Sequence, residues 1–121
     1  MKFLWTTILV NNMEESLEFY ENITGLKLVD RFQAGPGAEI SFLGEGETKI
    51  ELICNENIKN LNAGNRVTLG FKVESLDEMI DFVKNKGIKI ITGPVQPNPG
   101  IKYFIIQDPN GVKIQFAEQI A

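Results

Sequence analysis

Glu51 and Cys54 stand close together on one apolar stretch, Ile50-Glu51-Leu52-Ile53-Cys54, in a chain of 121 residues that contains no histidine. A carboxylate that points into an apolar pocket is a candidate general base. The thiol is a different case. A cysteine nucleophile needs a partner base, and no Cys–His pair can be built here. Cys54 therefore reads as a half-buried strand thiol. A single cysteine also excludes an internal disulfide and fits a reducing compartment. Gly35-Pro36-Gly37 and Gly44-Glu45-Gly46 lack the strand-to-helix context and the basic residue of a phosphate-cradling loop. Neither a nucleophile elbow nor a zinc-knuckle spacing occurs.

The chain is built on an internal repeat. Val10-Asn11-Asn12-Met13-Glu14-Glu15-Ser16-Leu17-Glu18-Phe19-Tyr20 aligns with Val73-Glu74-Ser75-Leu76-Asp77-Glu78-Met79-Ile80-Asp81-Phe82-Val83 at an offset of 63. Gly25-Leu26-Lys27-Leu28-Val29 aligns with Gly87-Ile88-Lys89-Ile90-Ile91, and Lys49-Ile50-Glu51-Leu52-Ile53 with Lys113-Ile114-Gln115-Phe116-Ala117. The same offsets pair Trp5 with Thr68 and Glu51 with Gln115. A repeat of about 60 residues is marginal as a domain by itself. One domain, residues 1–121, is therefore expected, made of a module over 1–56, a polar linker over 57–65 and a second module over 66–121, with a core or a sheet shared between the halves.

Each module reads as β-α-β-β-β. Residues 4–10 are rich in β-branched and aromatic types and predict a strand. Asn11 and Asn12 can cap a helix whose apolar positions Met13, Leu17 and Tyr20 recur at helical spacing up to Asn22, and Gly25 breaks it. Residues 26–32 predict a second strand, and residues 39–43 and 48–54 a hairpin. In the second module residues 67–73 predict a strand, Ser75 a cap, and residues 76–86 a helix ended by Gly87. Residues 88–91 then predict a strand and residues 93–100, with three prolines, a restrained loop able to close over a site. Residues 101–107 and 112–118 form the last hairpin across Asp108-Pro109-Asn110-Gly111, whose residue types suit a tight turn. Glu14, Glu15, Glu18 and Glu21 predict a solvated helix face.

A duplicated β-α-β-β-β unit ending in strand, Asp-Pro-Asn-Gly, strand resembles the glyoxalase, bleomycin-resistance and extradiol-dioxygenase superfamily, the vicinal oxygen chelate fold. Leu9-Val10, Ser16-Leu17-Glu18-Phe19-Tyr20, Gly25-Leu26-Lys27-Leu28-Val29 and Asp108-Pro109-Asn110-Gly111-Val112-Lys113-Ile114 carry the resemblance, which spans essentially the whole chain. It implies an α+β fold of two tandem βαβββ modules whose curved mixed sheets enclose a central cup. It also implies that the four positions used as metal ligands in the metal enzymes of the family are, in this chain, Trp5, Glu51, Thr68 and Gln115. Strand alternation places these opposite Ile8, Val10, Leu69, Phe71, Val73, Ile114 and Phe116, which would pack under the helices.

Those residue types do not make a transition-metal site. An indole N–H offers no lone pair, threonine is a poor ligand and Gln115 has only a neutral carbonyl oxygen, so Glu51 alone is a good donor. No metal and no other cofactor is expected. A hard cation held by Glu51, Gln115 and waters would lack a supporting acidic cluster. The resemblance then implies binding of a small apolar or aromatic molecule in the cup, with Trp5 as a wall and Glu51, Thr68 and Gln115 as polar contacts, and with Phe42 and Tyr103 from middle strands lining it. Family proteins that confer resistance by sequestration work by such binding. The alternatives are a lyase or isomerase resembling lactoylglutathione lyase, with Glu51 as catalytic base, and a dimeric accessory protein whose site has decayed. Trp5 could equally be a core or dimer-interface tryptophan, and Glu51 a satisfied group paired with Gln115, Arg31 or a lysine. The family habit of dimerising implies a homodimer.

The net charge of -4 and the dispersed lysines and arginines argue against a nucleic-acid partner. The start of the chain has too short an apolar run for a signal peptide or a membrane span, so no membrane partner and a cytoplasmic location are expected.

Overall fold

Asn12 and Ser75, equivalent positions of the repeat, each start a helix in the computed structural model, which describes residue 1, residues 3–57 and residues 67–120. Both caps are extended in backbone, and their side chains accept from the backbone N–H three residues on, Glu15 at 2.9 Å and Glu78 at 3.2 Å. These bonds satisfy donors that a helix start leaves open. The helices are α1 (Met13–Asn22) and α2 (Leu76–Asn85). Gly25 and Gly87 follow them at φ of 74° and 75°, the left-handed region in which glycine turns the chain without strain.

The chain divides into two compact units, Met1–Ala63 and Gly64–Ala121. The expected linker, residues 57–65, lies outside the described residues except for Asn57. The first unit contains β1 (Trp5–Val10), β2 (Leu28–Gln33), β3 (Ala38–Leu43) and β4 (Lys49–Asn55), in the sheet order β1-β4-β3-β2. The second contains β5 (Thr68–Lys72), β6 (Thr92–Asn98), β7 (Ile101–Gln107) and β8 (Lys113–Gln119), in the order β5-β8-β7-β6. In each unit the first strand runs parallel to the last and the other neighbours are antiparallel. The architecture is α+β, two βαβββ modules. Among the described residues each repeat forms its own four-stranded mixed sheet.

One face of each sheet is apolar and covered. In the first unit Ile8, Val10, Leu43 and Leu52 are buried together with Leu17 and Tyr20 of α1, while Glu14, Glu15, Glu18 and Glu21 face water as expected. In the second, Phe104, Ile106, Ile114 and Phe116 are buried with Leu76 and Val83 of α2. Such burial is worth about 1.5–3 kcal/mol for each large side chain.

One element differs from the sequence expectation. Residues 88–91 are not a strand, and the proline-bearing segment expected as a loop or gate is instead β6, Thr92–Asn98, paired with β7. Its position explains the tolerance of proline: β6 is an edge strand, where a missing N–H costs no ladder bond on the outer side. Its register shifts twice against β7, between Thr92 and Val95 and between Val95 and Asn98, and the Gly93–Pro94 bond is cis. Among the described residues no helix is long and apolar enough to cross a membrane.

Candidate functional site

The second face of the first sheet is left uncovered by α1, and strand alternation decides what it shows. Trp5, Thr7 and Leu9 point there from β1, and Lys49, Glu51 and Ile53 from β4, opposite the buried Ile8, Val10, Ile50 and Leu52. In the cross-strand register Thr7 is level with Glu51, and Glu51 with Phe42 of β3. Three rings make contact across the face. Trp5 meets Phe42 edge to face at 5.3 Å between centroids, and Phe32 of β2 stacks on Phe42 at 6.5 Å with planes 21° apart. Trp5 and Phe32 are still 43% and 41% exposed. The indole also borders a cleft of about 430 Å³ lined by Leu4, Glu45, Gly46, Glu47 and Lys49.

Glu51 is half-buried, and its Oε1 accepts from the Thr7 hydroxyl at 2.6 Å. This partner replaces those that the sequence suggested. Arg31 is committed elsewhere, donating to Glu39 from Nε at 2.6 Å and pairing with Glu14, so it ties β2 and β3 to α1. Those hydrogen bonds, Glu39 first and Glu14 second, hold the guanidinium pKa above its ordinary value. Cys54 is half-buried, with its thiol 3.8 Å from the Asn11 carbonyl oxygen.

On the second sheet Thr68, Gln115 and Tyr103 share the face opposite Leu69, Phe71, Phe104 and Phe116. Gln115 lies between Gly70 of β5 and Ile105 of β7, Thr68 is level with Lys113, and Tyr103 is level with Ala117. The repeat equivalent of Phe42 is thus Ile105, since each stands opposite the paired Glu51 or Gln115. Tyr103 occupies the next position along that face. Within the first unit the structure brings Trp5, Phe42 and Glu51 together. Within the second, Gln115 separates Thr68 from Tyr103.

Sequence reasoning did not single out Thr7 or Phe32. Thr7 had a signal, since period-two alternation from Trp5 puts it on the same face. Phe32 had none, because its contact with Phe42 depends on how β2 pairs with β3.

The donor set does not fit a transition metal. Trp5 presents an indole, Thr68 a hydroxyl and Gln115 an amide, and one oxygen of Glu51 already accepts from Thr7. Among the described residues no group of three or more histidine, cysteine, aspartate or glutamate side chains comes together.

Lactoylglutathione lyase of Neisseria meningitidis is 31% identical over 98% of this chain and 91% of its own length. The V278E variant of Zea mays glyoxalase I superposes with a TM-score of 0.86 at 20% identity, over 99% of this chain. The chain spans 45% of that maize enzyme's length. TnmS3, an antibiotic-binding protein from Streptomyces sp. CB03234, superposes with a TM-score of 0.76 at 17% identity, over 99% of this chain and 97% of its own. The two structural likenesses concern the fold alone. The model of the Glyoxalase/Bleomycin resistance protein/Dioxygenase superfamily matches residues 2–116, and the chain belongs to that superfamily.

Proposed function

We propose that this protein binds a small molecule with a flat apolar or aromatic body and does so without a transition metal. The observation that carries this reading is the run of three rings, Trp5, Phe42 and Phe32, left partly open to water beside the Glu51 carboxylate. Open aromatic surface gains about 25 cal/mol for each Å² that a ligand covers, and a few fixed polar atoms then orient what lies on it. Glu51 and Thr7 are those atoms on the first sheet; Thr68, Gln115 and Tyr103 offer polar atoms on the second. The TnmS3 likeness supports the reading in so far as this fold is used there to hold an antibiotic. A cytoplasmic homodimer is the working form we propose, and light scattering tests its assembly.

Trp5 is the chain's one tryptophan, so its emission reports directly from the face. Titration with aromatic metabolites and antibiotics should quench that emission saturably, and a Trp5→Phe control, followed by calorimetry, should weaken binding. A panel in which nothing quenches Trp5 would sink the proposal.

The second reading is a lyase or isomerase in which Glu51 removes a proton next to a carbonyl. The lactoylglutathione lyase relatives favour it. Such a step needs a group to stabilise the enolate, and the residues at the four positions do not supply a metal for that purpose. Turnover of the hemithioacetal of glutathione and methylglyoxal, abolished in Glu51→Gln, would establish this reading. Stoichiometric zinc or nickel in the purified protein would overturn the metal-free one.

A further inference from the structure

Thr7 and Glu51 face each other across β1 and β4, and the hydroxyl donates to Glu51 Oε1 at 2.6 Å. A hydroxyl has one proton and two lone pairs, whereas a carboxylate has lone pairs only. Once the Thr7 proton is committed to Oε1, the pair turns nothing but acceptors outward: Glu51 Oε2 and the remaining lone pairs of Thr7 Oγ1. The bond also restricts the glutamate rotamers, so that Oε2 is set in place before a ligand arrives.

The matching pair in the second unit is built differently. Gly70 stands level with Gln115, and a Cβ added there would lie 3.5 Å from Gln115 Oε1. Glycine cannot commit the amide, which offers both donor and acceptor. The two halves of the repeat therefore differ in hydrogen-bond polarity at equivalent positions.

From this we infer that Thr7 is a specificity-determining residue: with Glu51 it makes the first-sheet face select flat apolar molecules that carry an O–H or N–H donor at their edge. The inference rests on the proposed use of this face for binding. Rejection of the donor-free analogue has a plain cause. That analogue would cover Glu51 Oε2, strip its water and return no hydrogen bond.

Indole and 1-methylindole are the same ring with and without the N–H, and the Trp5 indole N–H supplies a single nuclear magnetic resonance signal. Titrated into the whole protein, indole should bind about tenfold tighter than 1-methylindole, the ratio expected when one hydrogen bond to a charged acceptor is lost. Thr7→Ser should keep that ratio, Thr7→Val should reduce it to about threefold or less, and Glu51→Leu should abolish it. Equal binding of the two probes to the unmodified protein overturns donor selection and leaves the face as a binding surface. A full ratio in Thr7→Val overturns the part assigned to Thr7. If neither probe moves the Trp5 signal up to its solubility limit, the binding reading falls and the inference with it.

Discussion

The Trp5 indole meets the Phe42 ring edge to face, with centroids 5.3 Å apart and planes at 75°. Pairs of this geometry contribute about 0.5–1.5 kcal/mol beyond the area they bury. Phe42→Leu keeps an apolar side chain on β3 but removes the ring. It should lower the unfolding free energy by about 1 kcal/mol in urea titrations and move Trp5 emission to longer wavelength, because the indole gains water. An unshifted emission maximum would show that the two rings are not in contact in solution.

Ser41 presents the opposite problem. It is fully buried on the helix-side face of β3, and its hydroxyl finds no hydrogen-bond partner among the described residues. A buried hydroxyl without a partner costs about 1–3 kcal/mol of desolvation. Ser41→Ala should therefore be neutral or stabilising by up to about 1 kcal/mol, apart from a small void. Thermal unfolding checks this, and a clear loss of stability would mean that the hydroxyl is bonded after all.

Asp108 organises the last turn. Its Oδ1 accepts from the Asn110 backbone N–H at 2.7 Å and the Val112 backbone N–H at 2.8 Å, and the residue is 5% exposed. Gly111, at φ of 88°, closes the turn with a bond from its N–H to the Asp108 carbonyl oxygen at 3.1 Å. Asp108→Ala strands two N–H groups and should cost about 2–3 kcal/mol. Asp108→Asn keeps an acceptor and should cost about half of that. Equal losses from the two substitutions in denaturant titrations would contradict this assignment.

Arg31 joins Glu39 and Glu14 and so ties two strands to a helix. Its side chain is 33% exposed and that of Glu14 is 77% exposed, which leaves the pairs open to screening by salt. Arg31→Met should cost about 1 kcal/mol at low ionic strength and much less in molar sodium chloride. Arg31→Lys should recover only part of the loss, because an ammonium cannot reproduce the fork geometry. A loss independent of salt would assign the effect to packing of the arginine stem instead.

The fold was legible in the sequence wherever local rules and the repeat agreed. Asn12 and Ser75 cap their helices as their types predict, and Gly25 and Gly87 turn the chain out of them. Residues 88–100 depart from those local rules. Glycine and three prolines outweighed strand character locally, whereas pairing of Thr92–Asn98 with β7 along a free edge supplied what composition lacked.

The candidate site divides along the same line. Alternation along a strand is a property of the local backbone, so the sequence by itself determined that Trp5 faces away from Ile8 and Glu51 away from Leu52. The repeat likewise determined that Thr68 and Gln115 are their counterparts. Which side chains meet across strands was decided only by the tertiary structure. Register sets Thr7 beside Glu51, Ile105 rather than Tyr103 at the position matching Phe42, and Arg31 with Glu39 rather than Glu51. A shift of one residue in any strand would exchange its two faces, and that choice rests on hydrogen bonds and burial between segments far apart in the chain.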